Sequence, residues 1–211
     1  MRVWLVAVCA CGLARAQNGI PVMCKRGSIE IVEAWREVKI PERCERLDLT
    51  THVADHAGGD RGARAIAEAI KHHPNIYELD LSGHNIGDEG AIHLADALRS
   101  NTVLKILDLY RNHIGDEGAR AIADALHSNS VLVKLVIGNQ RIGNKGALAF
   151  ADALERDDDP ALRELNLSKN RIGAEGAAAL AHAMMTRQKR QHPITIKGLE
   201  EAFHHGTHNE L

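Results

Sequence analysis

Asp48, Asp80 and Asp108 recur at intervals of 32 and 28 residues, each between two leucines in a Leu-Asp-Leu triplet. If the triplets are strands, the three carboxylates share one face of a sheet, because alternate strand residues point the same way. Neighbouring strands lie about 4.8 Å apart, so such a column repels itself unless a cation or the basic groups of a partner meet it. The plainer alternative is a solvated column screened by Arg46, Lys105 and Arg111. Other chemistry is sparse. The thirteen histidines do not fall at ligand spacing: His72 and His73 adjoin before Pro74, His93, His127 and His182 recur on helices, and His204, His205 and His208 lie near the end. No metal site is expected from that pattern. There is no Gly-x-Ser-x-Gly, no nucleotide-binding glycine loop and no carboxylate pair outside the repeat, so no catalytic residue and no cofactor is expected. A net charge of −2 gives no basic footprint for nucleic acid.

The aspartates are positioned by a repeat whose clearest unit is residues 104–129. Leu104, Leu107 and Leu109 mark a short strand, Asn112 to Gly115 a turn, and Ile122, Ala123, Ala125 and Leu126 recur at helical spacing. Asp116 and Glu117 stand where negative charge favours a helix start. Strand signals at Leu47-Asp48-Leu49, Leu79-Asp80-Leu81, Leu107-Asp108-Leu109, Leu135-Val136-Ile137 and Leu165-Asn166-Leu167 are each followed by Gly-x-x-Gly-Ala or a close variant and an Ala-rich helix. Ile194-Thr195-Ile196 is in phase for one more strand. With only 3% aromatic residues, the core must be aliphatic, which suits short strands and small-residue helices in close approach.

This periodicity, with a polar residue three positions after each strand triplet, resembles the leucine-rich repeat of the ribonuclease-inhibitor type across about residues 44–185. The resemblance implies an α/β solenoid of about five repeats plus caps, with parallel strands on the concave side and helices on the convex side. Stacking is also what the residues require, since no single unit can bury its strand side and its helix side alone. In such repeats the polar turn residue is Asn, whose amide serves backbone groups of neighbouring turns. Here the column reads His52, His84, Asn112, Gln140 and Asn170, so the first two units are expected to be the softer end.

Binding is then expected on the concave side, where the exposed columns are Arg46, Glu78, Ile106, Lys134, Glu164; Asp48, Asp80, Asp108, Val136, Asn166; and Thr50, Ser82, Tyr110, Gly138, Ser168. Asp48, Glu78, Asp80, Asp108, Tyr110, Lys134 and Glu164 are the candidate contacts for a protein partner whose identity is not legible. Asn166-Leu167-Ser168 is a glycosylation sequon on that same face.

The two ends read as addresses. Residues 1–16 combine Arg2, an apolar run from Val3 to Leu13 and Ala14-Arg15-Ala16, the pattern of a cleaved signal peptide, and eleven apolar residues are too few to span a membrane. Cleavage before Gln17 removes Cys9 and Cys11 and leaves Cys24 and Cys44, for which one disulfide worth about 3 kcal/mol is expected in an oxidising lumen. Residues 17–43 are expected to form an N-terminal cap, with an amphipathic helix from Ser28 to Lys39 carrying Ile31, Trp35 and Val38. Residues 44–193 hold the repeats, and residues 194–211 a C-terminal cap and tail. The ending His208-Asn209-Glu210-Leu211 resembles K-D-E-L retrieval signals, implying a retrieval receptor as second partner and retention in the endoplasmic reticulum lumen, with secretion as the alternative. Similar repeats occur in GTPase-activating proteins for Ran, which offers regulation of a small GTPase as the alternative for a cytosolic chain.

Overall fold

A computed structural model describes residues 23–25, 30–32, 37–49, 58–156 and 161–200. In chain order these form β1 (Met23–Lys25), β2 (Glu30–Val32), β3 (Glu37–Lys39), β4 (Arg46–Asp48), α1 (Gly59–Ile70), β5 (Glu78–Asp80), α2 (Asp88–Ser100), β6 (Ile106–Asp108), α3 (Asp116–Leu126), β7 (Lys134–Val136), α4 (Asn144–Glu155), β8 (Glu164–Asn166), α5 (Ala174–Lys189) and β9 (Thr195–Lys197). Seven strands make one parallel sheet in the order β1-β4-β5-β6-β7-β8-β9. Leu47, Leu79, Leu107, Leu135, Leu165 and Ile196 stand side by side across it. Four of these, Leu79, Leu107, Leu135 and Leu165, are 0% exposed. Their burial comes from the stack: they share one core with helix residues Ile66, Leu94, Ile122, Phe150 and Leu180 of successive coils. Strands pack about 4.8 Å apart and helices about 8–10 Å apart, so joining them unit by unit bends the array with the sheet on the inside. The structure is the expected α/β solenoid.

Three polar ladders satisfy the backbone between coils. One is the turn column foreseen from sequence. Asn112 Oδ1 accepts from the amides of His84 (2.9 Å) and Ile86 (3.0 Å), while its Nδ2 donates to the carbonyls of Leu81 (3.0 Å) and Leu109 (2.8 Å). Gln140 reaches the same way, accepting from Ile114 N and donating to Leu109 O, and Asn170 accepts from Ile142 N and donates to Ile137 O and Leu167 O. The His84 ring instead turns onto Ser82 O of its own turn, at 3.0 Å through Nδ1. Imidazole cannot accept and donate from adjacent atoms as an amide does, so it serves fewer directions.

The second ladder was not legible as such. Helices α2 to α5 begin after Gly87, Gly115, Gly143 and Gly173, and none is capped by its own side chain. The cap comes from the preceding coil. Asp60, Asp88 and Asp116 each accept, through Oδ1, two amides of the next helix start, at 2.7–2.9 Å. Asn144 does the same for Gly173 and Gly176. This explains the second glycine of each motif: a Cβ on Gly118 would meet Asp88 Oδ1 at 2.7 Å and Ala91 Cβ at 2.8 Å. The carboxylate also opposes the positive end of the neighbouring helix. Asp88→Ala is expected to cost about 1–2 kcal/mol in urea unfolding, by loss of a cap, and Asp88→Asn much less, because Asn144 already fills this role.

The third ladder runs past the helix ends. Asn101 Nδ2 donates to Ile70 O at 2.7 Å while its Oδ1 accepts from Val103 N and Leu104 N; Asn129 repeats this with Leu98 O, Val131 N and Leu132 N. His73 holds the equivalent place, its Nδ1 near Asn75 N and Ile76 N at 3.3 Å and its Nε2 3.1 Å from Pro41 O. Burial holds the His73 ring below its ordinary value of 6.5, partly opposed by the Pro41 carbonyl and the Glu42 charge. A base with a depressed folded value binds fewer protons than in the unfolded chain, so its contribution is whole above 6.5 and is lost as pH falls through the folded value. Stability measured from pH 8 to 5 should therefore fall at the acid end, and His73→Asn, which copies Asn101 and Asn129, should flatten that dependence.

The N-terminal cap differs from the helix expected over Ser28 to Lys39. β2 and β3 form an antiparallel pair in which Ile31 lies opposite Val38. Those residues are at helical spacing, but Ile31, Val32 and Val38 are β-branched, which favours a strand, and directly opposed pairs in a two-stranded ribbon meet as well as neighbours on a helix face. The first repeat is covered by β1, added to the sheet beside β4, and by β3 against α1. Trp35, His52 and Thr50 lie outside the described residues. At the other end β9 falls at Thr195–Lys197, one residue beyond the triplet expected from sequence.

Candidate protein-binding surface

The strand register aligns the expected columns along the sheet, but Val136 and Gly138, expected to be exposed, are buried. Arg46, Glu78, Ile106, Lys134 and Glu164 are aligned, with Thr195 continuing the row. Asp48, Asp80, Asp108, Val136 and Asn166 form the next, continued by Lys197. Charges in the first row pair along it, Arg46 with Glu78 at 2.7 Å and Glu164 with Lys134 at 3.2 Å, and Glu164 also meets Lys197 of the second row at 2.7 Å. The Glu164 carboxyl is held below the usual carboxylate range, first by Lys197 and then by Lys134.

The aspartate column has an internal task that sequence reasoning left open. Asp80 Oδ1 accepts from Ser82 N at 2.9 Å, Asp108 Oδ1 from Tyr110 N at 2.8 Å, and Asn166 Oδ1 from Ser168 N at 3.0 Å. A short side chain with an oxygen closes the turn leaving the strand, which accounts for Asp or Asn at this position without any ligand. The column nevertheless keeps electrostatic tension. Burial, reinforced by Asp80 and Glu78, pushes the Asp108 carboxyl up despite the Tyr110 amide and Lys134. Tyr110 itself leans over the neighbouring coil at Gly138, where an added Cβ would sit 3.2 Å from its ring.

A larger feature lies on the other edge of the sheet, where the chain enters the strands. A groove of about 1010 Å³ runs from Glu45 past Tyr77, Lys105 and Val133 to Arg163 and Lys197. Each entry residue donates its amide to the previous coil: Tyr77 to Glu45 O (2.9 Å), and Lys105 to Tyr77 O, Val133 to Lys105 O and Arg163 to Val133 O, all at 2.8 Å. Of the candidate contacts, only Lys134 and Glu164 line this groove, whereas Asp80, Asp108 and Tyr110 lie farther along the strands. The entry column was missed because it stands two positions before the first leucine of each triplet, just outside the strand and off the alternation used to find the exposed rows.

The remaining sequence features fall as follows. Asn166 is half-buried in β8, and its Oδ1 also accepts from Ser168 Oγ at 2.7 Å, so the two polar residues of the sequon bond to each other. Cys24 and Cys44 are buried thiols rather than a closed bridge, and burial together with the adjoining Cys24 pushes the Cys44 thiol up. Residues 1–16 and His208 to Leu211 lie outside the described residues. Among the described residues no group of three or more His, Cys, Asp or Glu converges as a metal site, and no helix is long and apolar enough to cross a membrane.

The fold is that of a leucine-rich-repeat solenoid. A family model described as Leucine Rich repeat matches residues 72–95, 100–123 and 160–181. Among solved structures, 63 chains match. One is the actin-binding site 2 of leiomodin-1, 21% identical, covering 63% of this chain and 75% of that one with a TM-score of 0.48. Another is the tropomodulin C-terminal domain of Caenorhabditis elegans, 18% identical, covering 63% and 79% with a TM-score of 0.49. No curated protein matches.

Proposed function

We propose that this chain is a non-enzymatic protein-binding module of the secretory pathway, retained in the endoplasmic reticulum lumen and engaging its partner through the concave sheet. One observation carries the binding reading. The open face presents charged side chains in strict register, Glu78 beside Ile106 and Lys134 and Asp80 beside Asp108, on strands whose alternate residues already complete the core. Such a face is rigid before binding, which lowers the ordering cost of association. The location rests on sequence: a signal-like start at residues 1–16 and His208-Asn209-Glu210-Leu211 at the other end.

The test is proximity labelling in cells with the tag inside the chain, so that both ends stay free. Lumenal neighbours are expected, and removal of His208 to Leu211 should release the protein to the medium. A cytosolic set of neighbours would contradict the location, and retention that persists without those four residues would contradict the role given to the tail.

A further inference from the structure

We propose that the turns leaving the sheet form a separate docking strip, in which Arg111, Arg141 and Arg171 bind an extended segment of a partner protein that carries carboxylates at alternate positions. The strip goes beyond the concave-face reading, because none of the three arginines lies in a strand. They stand on consecutive coils joined by direct amide bonds: Arg111 N donates to Gly138 O at 3.1 Å, Arg141 N to Ile114 O at 2.9 Å and Arg171 N to Ile142 O at 2.7 Å. All three side chains are exposed. Among the described residues none of the three makes a side-chain hydrogen bond or an ion pair. Lys169 shares the turn position of Arg111 but is already engaged, so it adds no spare charge. The turn itself does not require these cations, since the equivalent stretch two coils before Arg141 reads Gly83-His84-Asn85, without lysine or arginine.

The backbone at Arg111 is a second observation. Its φ of 57° is left-handed, as is that of Gly83 (76°) and Asn139 (55°) at the same place in neighbouring coils. Glycine and asparagine take that conformation readily, whereas arginine does so at a cost. An arginine kept there, exposed and bonded to nothing in the fold, has its use outside the fold. Spacing and surroundings narrow the ligand. Coils lie about 4.8 Å apart at the strands and about 8–10 Å apart at the helices, and the turns fall between. Alternate residues of an extended chain are about 6.6–6.8 Å apart, within that interval, and a guanidinium fork matches a carboxylate through two parallel bonds. The strip is also narrow. Asp80 and Asp108 bound it on the sheet, and Glu89, Glu117 and Glu175 at the helix starts. An anionic membrane or a nucleic-acid duplex would press on both flanks, whereas a single acidic chain fits between them.

The test uses the full chain and a labelled peptide of about nine residues with glutamate at every second position. In fluorescence anisotropy it should bind with an affinity that falls as salt is raised, and more tightly than an isomer whose glutamates form one block. Arg141→Glu with Arg171→Glu should weaken it roughly tenfold or more with circular dichroism unchanged. Arg111→Asn, which copies Asn139, should weaken it roughly threefold or more and at the same time raise the urea midpoint. No binding of the peptide, equal binding of the block isomer, or indifference to the charge reversal overturns the proposal. A midpoint that falls would make Arg111 a residue of the fold and overturn its place in the strip. Tighter binding to phosphatidylserine vesicles or to an oligonucleotide, lost with the same double variant, would overturn the choice of partner. Peptide binding lost instead with Lys105→Glu and Lys134→Glu would overturn the strip while keeping the open sheet as the binding side.

Discussion

Replacing Asn112 by leucine is expected to lower the unfolding free energy by about 3–5 kcal/mol, the largest loss of any single substitution in the turn column. The side chain is 4% exposed and makes four bonds to backbone groups of two coils. Leucine is close in volume, so packing changes little, but it leaves the amides of His84 and Ile86 and the carbonyls of Leu81 and Leu109 without this partner. Each buried group so stranded costs about 1–3 kcal/mol, and partial relaxation keeps the sum below simple addition. Asn170→Leu should cost less, because Asn170 is only half-buried and water can replace part of what is lost. A loss under about 1 kcal/mol for Asn112→Leu in urea titration would show that the ladder contributes geometry without stability.

Leu107→Ala is expected to cost about 2–5 kcal/mol, through lost apolar contact and the cavity left behind. Leu107 is fully buried between Leu79 and Leu135 of the adjoining coils, and the parallel register prevents the strand from collapsing into the space. Its neighbour behaves in the opposite way. Asp108→Asn keeps an oxygen for the Tyr110 amide and removes a charge that burial and Asp80 disfavour, so its effect at pH 7 should be close to neutral or slightly stabilising. The sign follows from linkage: a carboxyl raised in the folded state favours folding most below the ordinary carboxylate range, and that contribution is lost as pH rises through its folded value. Comparable losses for Leu107→Ala and Asp108→Asn would mean that inward and outward residues of β6 have been exchanged.

The repeat and the inward leucines were legible because a strand period of two and a helix period of 3.6 recur in the same order in coil after coil. The aspartate column was located correctly, but its backbone-capping role was not, since Leu-Asp-Leu specifies a face and says nothing of where Oδ1 turns. Asp116 was read through its own helix, and its counterparts Asp60 and Asp88 were not singled out. Their acceptor bonds go to the next coil, a relation between residues 27 to 30 positions apart that only the stacked register reveals. The second glycine of each motif was the available sign, because a motif that excludes Cβ at a helix start needs something close to exclude it. Asn101 and Asn129 could have been found from their shared spacing and the aliphatic residues that follow them. The N-terminal cap misled because Ile31 and Val38 satisfy a helical interval and a hairpin pairing equally, and β-branching was the discriminating feature.

The account depends on coils that protect one another, and hydrogen exchange of four equivalent amides tests it most directly. Leu81, Leu109, Ile137 and Leu167 each donate to the carbonyl of the next strand, at 2.8, 2.7, 2.9 and 2.9 Å. All four should exchange orders of magnitude more slowly than unstructured amides, and Asn112→Leu should accelerate Leu81 and Leu109 before Leu167. Exchange of any of the four at the rate of an unfolded chain, with the protein otherwise folded, would contradict the continuous stack of coils.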